Sequence, residues 1–111
     1  MNLLFVCTKN KWRSPTAEKI YSDHPLLSVR SAGISRSARR LINATDVAWA
    51  DIIFVMENKH KRYIHEQFRT HIGKRKIIVL DIPDDYQYMD QALISWLQDA
   101  VDAHLSLYLS L

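Results

Sequence analysis

The sequence holds one cysteine, two glycines and three prolines in 111 residues. One cysteine excludes an internal disulfide and any metal site built from several cysteines of the same chain, and it suits a reducing, cytoplasmic setting. So little glycine and proline leaves scant material for linkers or long loops. No apolar run is long enough to cross a bilayer, and no membrane partner is expected. Met1 to Val6 has no charged n-region and is too short for a secretory leader before Cys7 and Lys9. Internal repeats, low-complexity tracts and lipidation motifs are missing too. The five histidines show no metal-ligand spacing; His60 and His65 lie five apart, poorly placed for one helix face. Neither a metal nor an organic cofactor is expected.

What is present is an ordinary globular balance, 48% hydrophobic and 24% charged, with a net charge of +3. Disorder is disfavoured, and one domain over 1–111 is expected. Mild basicity suits an anionic ligand as well as a nucleic acid, but no aromatic-basic interleaving supports the latter, so no nucleic-acid partner is expected. Oligomeric state is not addressed by these features.

Leu3–Val6 is a short continuous apolar run, the pattern of a strand buried on both faces. Ser14 suits a helix cap and Pro15 the first helical position, and the helix stops before His24-Pro25. Residues 26–31 alternate as a second strand, turned by Ala32-Gly33. Residues 36–42 read as a short basic helix, and Asn43 as the cap of another. Residues 52–56 are the strongest strand signal. Residues 58–68 form a polar helix that buries Tyr63, Ile64 and Phe68, and 76–80 a fourth strand. Residues 81–90 form an acidic loop. Residues 92–109 form a long amphipathic helix. Trp49 and Trp96 are assigned to the core. The order strand–helix, repeated four times, predicts an α/β fold: three layers around a four-stranded parallel sheet, with ligands bound beyond the strands' carboxyl ends. Cys7 and the pair Asp81 and Asp84 reach that same rim.

Cys7-Thr8-Lys9-Asn10-Lys11-Trp12-Arg13-Ser14 joins a strand to a helix start. Such a loop is an anion cradle: its backbone N–H groups converge, and the helix N-terminus adds positive potential. Arg13 adds a bidentate fork for phosphate oxygens. The same donors favour a cysteine thiolate, so cradle and thiolate together point to nucleophilic attack on phosphorus. The plain alternative for a lone cysteine at a strand end is a small core residue. The surrounding strand, Ser-Pro helix start and acidic loop argue against it.

Val6-Cys7-Thr8-Lys9-Asn10-Lys11-Trp12-Arg13-Ser14-Pro15-Thr16-Ala17-Glu18 resembles the V-C-x-G-N-x-C-R-S-P-x-A-E signature of the low-molecular-weight protein tyrosine phosphatases. Ser31-Ala32-Gly33 and Ala50-Asp51-Ile52-Ile53-Phe54-Val55-Met56-Glu57 resemble two further family segments, so the likeness spans nearly the whole chain. The resemblance implies a phosphotyrosine phosphatase I-like fold and a cysteine-dependent phosphatase acting through a phosphocysteine on a phosphorylated protein or small phosphomonoester. It implies Cys7 as nucleophile and Arg13 as phosphate and transition-state ligand. Asn10 would hold the loop's shape, Ser14 would hydrogen-bond the sulfur, and Ser31 would support the loop from strand two. The family's general acid is an Asp after strand four. Counting back from the last helix selects Asp84, counting forward from the strand selects Asp81, and Asp84 is favoured.

Three departures stand out. Lys9 replaces a glycine, the residue that tolerates positive φ. Trp12 replaces a second cysteine, removing the thiol that would resolve an oxidised Cys7; its indole either stacks on an aryl substrate or covers the loop. The stretch after Gly33 is short, which implies a shallow cleft. Other function classes are a phosphate-binding module with little turnover and an arsenate reductase, whose disulfide cascade one cysteine cannot run.

Overall fold

The computed structural model describes residues 1–109. Its elements run β1 (Asn2–Cys7), α1 (Arg13–Tyr21), β2 (Ser28–Gly33), α2 (Ala44–Trp49), β3 (Ile52–Val55), α3 (Asn58–Gln67), α4 (Arg69–Ile72), β4 (Lys76–Val79) and α5 (Gln91–Leu109). All strand pairs are parallel, in the order β2-β1-β3-β4. The chain steps from β1 outward to β2, then crosses to β3 and on to β4 in the other direction. The switch point therefore lies between the ends of β1 and β3, where open α/β sheets bind their ligands.

Period-two alternation sorts each strand's side chains between the faces. Leu3, Phe5, Cys7, Ile52, Phe54 and Met56 enter a core with residues of α1 and α5. Leu4, Val6, Ile53 and Val55 enter a second core with residues of α2, α3 and α4. Both faces are covered, which is why β1 and β3 read as unbroken apolar runs. Phe5 stacks on Phe54 at 5.4 Å and on Tyr21 at 5.9 Å. The Tyr21 hydroxyl donates to Asp102 at 2.6 Å and ties α1 to α5.

Several local expectations are corrected. Residues 36–42 form turns and a bridge between Leu41 and Gly33, not a helix. Arg39 gives its amide and its Nε to the loop after β1, and Ile42 gives its amide to Gly33, so these groups are not available for a helical ladder. The second strand lies two residues later than 26–31, because Ser28 pairs with Asn2 and Gly33 with Cys7. Trp96 is 38% exposed, packing edge-on to Tyr86 at the surface instead of entering the core. Asn43 does cap α2, its side chain accepting from the Asp46 amide at 2.8 Å.

The late register of β2 has a consequence at Gly33. A Cβ there would stand 2.6 Å from the Thr8 carbonyl oxygen and 2.8 Å from the Ala38 Cβ. Nothing on the rigid loop side can yield. Gly33→Ala is expected to destabilise the fold by about 1–3 kcal/mol, as overpacking does, measured as a lower urea midpoint at unchanged slope.

Candidate active site

The loop from Cys7 to Arg13 is shaped from outside. The Cys7 and Thr8 carbonyls accept from the Ile34 amide at 3.2 and 2.9 Å, and Thr8 also from Ser35 at 2.9 Å. The Lys9 carbonyl accepts from the Arg39 amide at 2.9 Å, and the Asn10 carbonyl from Arg39 Nε at 3.1 Å. A trans peptide points its C=O and the following N–H in opposite directions, and no peptide here is cis. Four outward carbonyls therefore turn the Thr8, Lys9, Asn10 and Lys11 amides toward the inner side, as an anion cradle requires. The tight turn needs a single left-handed residue, Asn10 at φ 53°. Lys9 is not in that region, so the missing glycine carries no strain here.

At the floor, Cys7 Sγ lies 2.9 Å from Ser14 Oγ. Asn10 Nδ2 donates to the same hydroxyl at 2.8 Å. Ser14 thus accepts from Asn10 and has its own proton for the sulfur, the Ala32 carbonyl being farther off at 3.4 Å. Ser14 is the second residue of α1 and not its cap; its hydroxyl serves the cysteine instead of the helix amides.

Arg13 is 1% exposed. Its Nη1 donates to Glu57 Oε2 at 2.5 Å and to the Ile82 carbonyl at 2.8 Å. Its Nε forms no hydrogen bond, the Asp84 carboxylate approaching only to 3.5 Å. One edge of the guanidinium is anchored, and the Nε on the other edge faces the Asp84 carboxylate without a hydrogen bond. Burial pushes the Glu57 carboxyl up, but the hydrogen bond and charge of Arg13 outweigh it and hold it below the usual range.

Cys7, Thr8, Lys9, Lys11, Trp12, Arg13 and Asp84 line one cavity of about 160 Å³. The structure thus brings together the cysteine, the arginine and one of the two aspartates. Asp81, at φ 56°, borders a different opening with Glu57, Pro83 and Trp96. Ser31 does not reach the loop. It pairs with Phe5, two residues before the strand end, and its hydroxyl donates to Glu18 at 2.6 Å. Ala32 and Gly33 occupy the position adjoining the loop.

Sequence reasoning placed His60 in a polar helix without counting it among the buried residues, yet it is fully buried. Its Nδ1 accepts from the Glu57 amide at 3.0 Å, so the ring proton sits on Nε2 and is donated to Thr8 Oγ1 at 2.9 Å. Glu57, His60 and Arg39 are thus supporting residues that the sequence reading did not single out. The signal for Glu57 is its place two residues after β3, at the switch point. Nothing in the sequence alone distinguishes His60 from its charged neighbours. Among the described residues, no cluster of His, Cys, Asp and Glu could hold a metal ion.

No protein-family model matches the chain, and no curated protein matches it. Solved structures do. A low-molecular-weight protein tyrosine phosphatase from Streptococcus pyogenes superposes with a TM-score of 0.78 at 19% identity, over 97% of this chain and 93% of that one. The tyrosine phosphatase Wzb from Escherichia coli K30, solved with phosphate, gives 0.76 at 20% identity, over 96% and 97%. The YwlE arginine phosphatase from Geobacillus stearothermophilus gives 0.72 at 21% identity, over 96% and 93%. The four-stranded parallel sheet and its helices thus have the fold of the low-molecular-weight protein tyrosine phosphatases, as the signature implied.

Burial first, then the Arg13 charge, lowers the His60 pKa from 6.5 to about 4. A depressed folded-state value means that the fold prefers the neutral ring. This contribution is complete above pH 6.5 and is lost as pH falls through the window from 6.5 to 4. It is at most about 3 kcal/mol. The stability gap between wild type and His60→Asn, from urea unfolding, is expected to shrink steadily from pH 7 to pH 4. A pH-independent gap would contradict a buried neutral histidine.

Proposed function

We propose that the chain is a cysteine-dependent phosphatase that hydrolyses phosphotyrosine or similar aryl phosphate monoesters through a phosphocysteine. The observation that carries the reading is the cavity itself: Cys7 bonded to Ser14, an unbonded Arg13 Nε and the Asp84 carboxylate converge there. The matching structures bear the names of tyrosine and arginine phosphatases, which supports phosphoryl chemistry on this fold.

The Cys7 thiolate attacks phosphorus, forming the S–P bond as the ester P–O bond breaks. Asp84, protonated at the start, gives its proton to the leaving oxygen. The resulting carboxylate takes a proton from water as that water attacks phosphorus. The S–P bond breaks, inorganic phosphate leaves, and the thiolate returns to its Ser14 hydrogen bond. Loop amides and the open edge of Arg13 stabilise the charge on the transferring oxygens in both steps. The glutamate behind Arg13 keeps that edge aimed. Trp12 at the rim offers an aromatic face to an aryl leaving group.

Hydrolysis of p-nitrophenyl phosphate tests this. Wild type is expected to turn over in the presence of a chelator, and Cys7→Ser to fall to background. Asp84→Asn should lose about 10²- to 10⁴-fold in kcat, the usual worth of a positioned acid, while Asp81→Asn stays within a few-fold. Equal losses at both aspartates would remove the assignment of the acid. Folded, reduced wild type that binds phosphate without turnover would instead make the chain a phosphate-binding module.

A further inference from the structure

Lys11 and Trp12 border two openings. One is the cysteine cavity, whose roughly 160 Å³ is below the usual size of a whole ligand site. The other is an open groove of about 670 Å³ that runs along α1 from Trp12 to Ser22, with Tyr88 on its far side. A substrate seated by its phosphoryl group in the first has the second as its continuation.

The groove's charge is one-sided. Lys11, Lys19 and Arg39 stand along it, all exposed, and among the described residues none forms a salt bridge. Of its side chain, Arg39 spends only the Nε on the loop. The one acid in the lining, Glu18, is held by the Ser31 hydroxyl. The ten residue steps from Trp12 to Ser22 along α1 measure about 15 Å at 1.5 Å each. An extended chain advances about 3.4 Å per residue, so the groove accommodates about four.

We propose that this groove is a specificity site for an acidic segment of about four residues next to the phosphorylated residue of a protein substrate. The proposal rests on the phosphatase reading above and narrows its substrate class from any aryl phosphate to an acidic phosphopeptide. Three exposed cations with no acidic partner among the described residues outnumber Glu18, and so attract such a segment and repel a basic one. Trp12 and Tyr88 supply apolar contact for its side-chain stems.

The experiment compares phosphotyrosine peptides carrying four acidic, four neutral or four basic residues on either side, with p-nitrophenyl phosphate in parallel. Turnover is read on wild type and binding on Cys7→Ser protein by fluorescence anisotropy. Acidic residues on one side should raise kcat/KM and binding about tenfold over basic ones, with the gain shrinking as salt rises. Lys19→Glu should lower kcat/KM for the acidic peptide about fivefold and leave p-nitrophenyl phosphate within twofold. Tyr88→Ala should weaken all peptides and spare the small substrate. Equal handling of the three peptides would overturn the groove assignment while leaving the phosphatase reading intact. So would a Lys19→Glu loss shared equally by the small substrate. Absent turnover of every substrate would overturn the phosphatase reading, and the anisotropy series would then decide the groove by itself.

Discussion

The structure depends on one buried cation. Arg13 leaves water almost completely, and a guanidinium in that position needs a partner. Breaking such a pair by removing one member typically costs about 3–5 kcal/mol. The partner, Glu57, sits two residues after β3, while Arg13 closes the loop that follows β1. Their ion pair therefore spans the switch point of the sheet. The Ile82 carbonyl joins the same nitrogen from the segment after β4. One side chain thus registers three strand ends against each other, and the ends of β1, β3 and β4 cannot shift independently. The restraint also divides the guanidinium into a fixed edge and an open edge.

The same economy extends to the loop. Glu57 accepts the arginine through its side chain and donates its backbone amide to His60, which passes a hydrogen bond on to Thr8. On the other flank, Ile34, Ser35 and Arg39 take up the outward carbonyls. The cradle is clamped between two layers, so its inward amides need no reorganisation to meet an anion. Pre-set dipoles of this kind account for much of the electrostatic advantage of enzyme sites.

How much of this was legible follows from the range of the interactions. The sheet was readable because β1 and β3 are buried on both faces, which leaves apolar runs bounded by polar residues. The Cys7-to-Ser14 loop was readable because its residues are contiguous. Asp84 could be ranked above Asp81 by counting, yet only its place in the cysteine cavity separates the two physically. The stretch from 36 to 42 misled because its basic residues fit a helix locally, while Arg39 spends its amide on Lys9 and its Nε on Asn10, 30 and 29 residues away in the chain. Ser31 misled through a two-residue strand register, a quantity that pairing fixes and propensity does not. His60 was hidden because burial of a polar residue depends on partners from distant segments, here Thr8, 52 positions earlier.

The departures at Lys9 and Trp12 are resolved by the same geometry. The loop requires outward carbonyls and one left-handed residue, and Asn10 meets the second requirement at φ 53°. A glycine at position 9 is not part of that requirement. Trp12 stands at the N-terminal boundary of α1 with an ordinary φ of −125°, its carbonyl accepting from Thr16, and Lys11 lies over its ring at 4.9 Å. Positions 9, 11 and 12 share a property: their side chains remain at the rim. Residues 7, 10, 13 and 14 have the opposite property, each being buried. The constraint on chemistry therefore falls on the second set. The first set is free to vary, and in this chain it puts two cations and an indole around the mouth. That division lets the side chains around the mouth differ without disturbing the groups beneath them.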